Sequence, residues 1–179
     1  MASSPLPEFS RIVRATEFGD GARERLIAAS QTECAALARR FGLRALSALE
    51  ARLRIVPEAT GCHVVGTLTA DLVQACVATD EDVPAQITAN VAVRFMRGLD
   101  AIDEEELELS EADCDLLPLE DERVDLGETV AQTLALNLDP YPRVADADAK
   151  LRAMGVLGEG EAGPFATLRT LKLSTGTSD

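Results

Sequence analysis

Three stretches of the chain alternate apolar and polar residues with a period of two. In 48–55 (ALEARLRI), Leu49, Ala51, Leu53 and Ile55 point one way and Glu50, Arg52 and Arg54 the other. In 62–78, Val64, Leu68, Ala70, Leu72 and Cys76 share a face opposite His63, Thr67, Thr69 and Asp71. In 83–95, the shared face carries Val83, Ala85, Ile87, Ala89, Val91, Val93 and Phe95. Successive side chains of a strand point to opposite faces, so each run predicts a strand with one buried side. PEATG (57–61) and TDED (79–82) separate the runs and read as turns. The expected product is an antiparallel meander. Strands of thirteen or more residues exceed about 40 Å at about 3.3 Å per residue. That length calls for strong twist, a bulge or a bend, with Gly66 as the candidate place.

Around the meander the period changes to that of a helix. Ser30-x-x-Glu33 is a capping box, and Cys34, Leu37, Ala38 and Phe41 follow at i, i+3, i+4 and i+7. Gly42 stands where a left-handed residue ends a helix. Asp125 caps a second helix with Glu128 in its first turn; Leu126, Val130 and Leu134 form its stripe, and Asn137 with Pro140 ends it. Phe9–Val13, Glu24–Ala28 and Cys114–Leu119 read as short strands, the last stopped by Pro118. The acidic insert 99–122 has no clean period, and its first half reads as a solvated loop. Residues 144–163 are linker-like, and Pro164 can start a short C-terminal helix over 164–172 with Phe165, Leu168 and Leu171 on one side.

The fold class is therefore α+β: a twisted antiparallel sheet, open or partly closed, with two or three packed helices. The 179 residues suit one domain spanning 1–179, with its core at about 9–142. Leu37, Phe41, Leu53, Leu68, Leu72, Ile87, Val91, Val93, Leu126, Val130 and Leu134 are the expected core. MASSPLPEFSRIVR lacks the apolar segment of a secretory signal, and no run of apolar residues is long enough to span a bilayer. The expected location is the cytoplasm.

Charge changes the picture more than composition does. The net charge of −14 argues against a protein that simply coats phosphate. Residues 100–128 hold fourteen Asp and Glu against one base, Arg123, whereas residues 1–58 hold nine Arg against seven acids. The acidic segment suits a basic partner. Aromatic content is 3%, with no Trp and one Tyr, so the interleaving of bases and aromatics typical of nucleic-acid binders is absent. Arg52, Arg54, Arg94 and Arg97 can still share a polar sheet surface and contact RNA or a particle. The competing reading pairs them with the acidic loop inside one molecule.

The four cysteines, at 34, 62, 76 and 114, are no closer than fourteen residues and form no C-x₂₋₄-C knuckle. They read as free thiols, with no metal and no cofactor expected. The one histidine, His63, sits on the polar face of its strand while Cys76 sits on the other, which disfavours a Cys–His nucleophile. DAIDEEELELSE lacks the Gly and the spacing of a calcium loop, and no phosphate-binding glycine loop, nucleophile elbow or H-E-x-x-H occurs.

QACVATDEDV (74–83), VDLGETVAQTLALNLDPYP (124–142) and PFATLRTLK (164–172) together resemble the YceD-like family, the large ribosomal RNA subunit accumulation proteins. The resemblance runs from about Phe9 to Lys172, and EFSRIV (8–13) and ALARRFGL (36–43) resemble the alphaproteobacterial version. The family pattern at the first piece is C-x-R-C-L-E-P-V. Cys76, Glu81 and Val83 match it, while Ala78, Thr79, Asp80 and Asp82 depart from it. Members with both thiols carry further cysteines after the second helix, a set suited to zinc. This chain has none after Cys114, so the resemblance implies the type without the cysteine knuckle. Asp125, Leu126, Gly127 and Glu128 match in the second piece. The resemblance implies a cytoplasmic, non-enzymatic factor for accumulation of large-subunit ribosomal RNA and ribosome biogenesis. It would contact precursor ribosomal RNA or a large-subunit assembly particle, including a basic ribosomal protein, with no membrane and no DNA involved. The alternative is an acidic interaction module that binds or chaperones a basic protein without an RNA role.

Overall fold

A computed structural model describes residues 7–14, 21–98 and 115–156. The acidic insert before Asp115 and the 164–172 segment lie outside the described residues. In chain order the elements are β1 (Ile12–Arg14), β2 (Arg23–Ala28), α1 (Gln31–Arg40), β3 (Ala45–Glu58), β4 (Gly61–Ala75), β5 (Asp82–Met96), β6 (Asp115–Pro118), β7 (Arg123–Asp125), α2 (Leu126–Leu136) and α3 (Ala147–Ala153). Strands β2-β3-β4-β5-β6 form one open sheet, and β1 pairs with β7 in a second, two-stranded one. The fold is α+β, as the periodicities predict, and the sheet is not closed. No described helix is long and apolar enough to cross a membrane.

The meander forms because the three alternating runs bury one face in register. Leu53 lies opposite Gly66 and Gly66 opposite Val91; Ala51, Leu68 and Ala89 form the next inward row. Leu49, Leu53, Ile55, Val64, Leu68 and Val91 are almost wholly buried. Helix α1 packs on β3 and α2 on β5, so both helices cover the same apolar face. Phe41 and Ile87, expected in the core, are only partly buried, although both pack against it. Phe41 caps the end of α1 with its ring beneath the Arg40 guanidinium, and burial along β5 becomes complete only from Ala89 onward.

Three details go beyond what the periodicities set. Strand β6 joins β5 in parallel, Val93 opposite Asp115 and Met96 opposite Pro118, so the sheet is not purely antiparallel. The 18 residues between Met96 and Asp115 are long enough for the return crossover that a parallel neighbour requires. The irregularity in the long strands falls between Leu46 and Ala48 of β3, whereas the register through Gly66 is continuous. Gly66 serves close approach instead: a Cβ there would lie 2.1 Å from the Arg52 carbonyl oxygen. Finally, the linker-like stretch 144–163 contains α3, whose Ala147 is buried.

The capping box of α1 is formed as the sequence predicts. The Glu33 amide donates to Ser30 Oγ at 3.3 Å, and the Ser30 amide donates to Glu33 Oε2 at 2.7 Å. Gly42 follows with φ +66°. Arg11, just before β1, donates to the same Glu33 carboxylate at 2.7 and 3.0 Å, which ties the small sheet to α1.

Candidate functional site

Three groups of residues singled out by the sequence can be placed: the turn after β4, the start of α2, and the arginines on or near the sheet. The turn is held by its own backbone. The Cys76 amide donates to the Glu81 carbonyl at 2.8 Å and the Asp80 amide to the Cys76 carbonyl at 2.9 Å, with Asp80 at φ +59°. The Val77 amide donates to the Pro142 carbonyl at 2.9 Å, and Gln74 Nε2 to the Asp139 carbonyl at 2.8 Å. The turn is thus stitched to the chain that leaves α2. Val83, the last matching position here, is the second residue of β5 and half-buried.

Cys76 is only 3% exposed but lies outside the apolar cluster that contains Cys34 and Cys62. The Thr79 hydroxyl, followed by the backbone groups of Val144, Ala78 and Thr79, lowers its thiol to about 7 against the opposing effect of burial. Burial raises Cys62 to about 11 and also raises Cys34. The same Thr79 hydroxyl donates to Glu81 Oε2 at 3.0 Å, and Lys150 of α3 sits 2.6 Å from that carboxylate. A hydroxyl has one proton, so Thr79 serves the thiol or the carboxylate at a given moment. Cys76, Thr79, Glu81, Lys150 and Met154 line an open cleft of about 900 Å³ between the turn and α3.

This donor set does not fit a zinc knuckle. It offers one thiol, one hydroxyl and one carboxylate already neutralised by an ammonium, where a structural site uses four convergent thiolate or imidazole ligands. Among the described residues no three His, Cys, Asp or Glu side chains are grouped to hold a metal. His63 lies thirteen residues from Cys76 along an extended strand, about 40 Å at about 3.3 Å per residue, so the two cannot act as a pair. Cys114 lies outside the described residues.

At the start of α2, Asp125 joins three parts of the chain. Its carboxylate accepts from Ser10 Oγ at 2.5 Å, the Arg11 amide at 2.7 Å, the Gly127 amide at 3.0 Å and the Glu128 amide at 3.2 Å. Gly127 is small because the chain passes over it: a Cβ would meet the Phe9 carbonyl oxygen at 2.4 Å. Leu126 is buried. Glu128 does not reach back over the helix start. It accepts a two-pronged ion pair from Arg40 of α1 at 2.8 and 2.7 Å, and Arg40 also meets Glu8 at 3.0 Å. Asp125, Leu126, Gly127 and Glu128 therefore clamp the N-terminal segment, α1 and α2 together. Sequence reading missed Arg40 and Lys150, whose pairings with Glu128 and Glu81 join residues 88 and 69 positions apart and leave no local signal.

The four arginines separate. Arg52, Arg54 and Arg94 project from the face of the sheet away from the helices, while Arg97 lies just beyond the end of β5. Arg97 pairs with Glu122, its Nη2 2.5 Å from Oε2, so it does meet the described end of the acidic segment. Arg94 Nε lies 3.2 Å from Glu58 Oε2, within ion-pair reach although outside hydrogen-bond geometry. Arg52 and Arg54 are exposed and form no ion pair with a described residue.

No curated protein and no solved structure matches the chain. A protein-family model does, over residues 64–172, from Val64 on β4 through the Cys76 turn, the DLGE clamp and the PFATLRTLK segment. Since that span covers more than half of the 179 residues, the chain belongs to the YceD family, described as large ribosomal RNA subunit accumulation protein YceD.

Proposed function

We propose that this protein is a non-enzymatic, cytoplasmic factor that supports accumulation of large-subunit ribosomal RNA by contacting precursor ribosomal RNA or an assembling large-subunit particle. The family match over 64–172 carries this reading. The geometry favours binding over chemistry. The matching residues Asp125 and Glu128 spend their carboxylates on backbone amides and on Arg40, and the histidine lies far from Cys76, the least basic of the described thiols. Deleting the gene and measuring both ribosomal RNAs tests the proposal: large-subunit RNA should fall relative to small-subunit RNA, and the protein should sediment with large-subunit precursors.

A second reading, an acidic module that holds a basic protein without an RNA role, is favoured by the fourteen acids of residues 100–128. It predicts unchanged ribosomal RNA ratios in the deletion strain together with loss of a basic protein. Crosslinking in cells, with sequencing and mass spectrometry of what is attached, separates the two.

A further inference from the structure

We infer that the helix-free face of the sheet is the RNA-facing surface, with Arg52 and Arg54 each placed to contact a backbone phosphate; this rests on the ribosomal reading above. Helices α1 and α2 cover the opposite face, and outward residues of β3, β4 and β5 are exposed. Arg52, Arg54, Thr67, Thr69, Thr88 and Asn90 are all exposed on it. The register sets Arg52 opposite Thr67 and Thr67 opposite Asn90, a row that crosses three strands. With strands about 4.8 Å apart, that row of one guanidinium, one hydroxyl and one amide is about 10 Å wide. Arg54 stands two residues along from Arg52, about 6.6 Å away. The two flank a shallow depression of about 260 Å³ floored by Val65, Gly66 and Thr67.

These two arginines form no ion pair with any described residue, whereas Arg97 is spent on Glu122 and Arg94 lies against Glu58. Guanidiniums that pair with no described acid suit phosphate and repel a basic protein. No Phe, Tyr or Trp occupies an outward position of β3–β5, so the usual platform for stacked bases is missing there. Contact is therefore with phosphate and sugar hydroxyls, the groups that position a protein without reading sequence. Glu24, opposite Arg54, and Glu50, two residues before Arg52, confine the positive patch and limit it to about two phosphates.

The test uses the full chain and isolated large-subunit precursor particles over a series of salt concentrations. R52Q/R54Q should bind more weakly at low salt and lower the slope of log affinity against log salt by about 1.4–1.8. Between 50 and 200 mM salt the wild-type protein should then lose about 7–12-fold more affinity than the variant. R97Q should leave the slope unchanged, and R52Q/R54Q should melt with the wild type. An unchanged slope in R52Q/R54Q, with particle binding intact, overturns this surface but leaves the ribosomal reading standing. A wild-type protein that binds no particle at any salt, or that binds the particle's proteins after the RNA is digested, overturns both the surface and the RNA contact.

Discussion

Replacing Asp125 by Ala tests whether the DLGE segment is a structural clamp. The carboxylate accepts four hydrogen bonds, two from the first turn of α2 and two from Ser10 and Arg11 ahead of β1. Loss of an N-cap costs about 0.5–2 kcal/mol. Leaving the part-buried Arg11 amide without its acceptor adds about 1–3 kcal/mol. The two losses share one side chain and do not add fully, so about 2–4 kcal/mol is expected. At roughly 2–4 °C per kcal/mol for a chain of this size, the melting temperature should fall by about 4–16 °C. Asp125→Asn keeps one acceptor oxygen and should lose less than half as much. Urea titration of the three proteins, with the slope compared as well as the midpoint, measures this. A loss within about 0.5 kcal/mol, the range of ordinary surface positions, would refute the clamp. If such a variant also failed to join precursor particles, Asp125 would be a contact residue.

Cys76 should react with iodoacetamide in the folded protein with a midpoint near pH 7, while Cys34 and Cys62 stay protected; Thr79→Val should move that midpoint upward, and mass spectrometry of the intact chain and its peptides reads both. Equal rates for Cys76 and Cys62 would contradict the environment described for the turn. Glu33 is held down to about 2, first by the Arg11 guanidinium and then by the Ser30 amide and hydroxyl. Its folded value lies below the ordinary 4.5, so the stability it contributes is full above about pH 4.5 and is lost as the pH falls toward 2. Glu33→Gln should therefore narrow the difference between neutral and acid melting temperatures, and an identical pH profile in wild type and variant would remove Glu33 from the acid response.

The meander was legible because strand faces repeat every two residues, and a one-residue slip would turn Leu49, Leu53, Leu68 and Val91 into solvent. The caps of α1 and α2 were legible for the same reason: Ser30 and Glu33, or Asp125 and the amide of Gly127, meet within one turn of backbone. The candidate surface was half legible. Alternation placed Arg52 and Arg54 outward, but nothing local distinguished them from Arg97, which the chain spends on Glu122.

By itself, then, the sequence determined the strand faces, the two capped helices and the α+β class, because all of these are set by neighbours within about four residues. Tertiary structure decided the parallel placement of β6, the pairing of Arg40 with Glu128 and of Lys150 with Glu81, and which of the four arginines meet a described acid. Gly66 and Gly127 belong to the second set as well, since what excludes a Cβ there is the carbonyl of Arg52 or Phe9. These contacts join residues far apart along the chain. Their partners are chosen by how the layers stack and where long connections return, and no periodicity in the sequence encodes that choice.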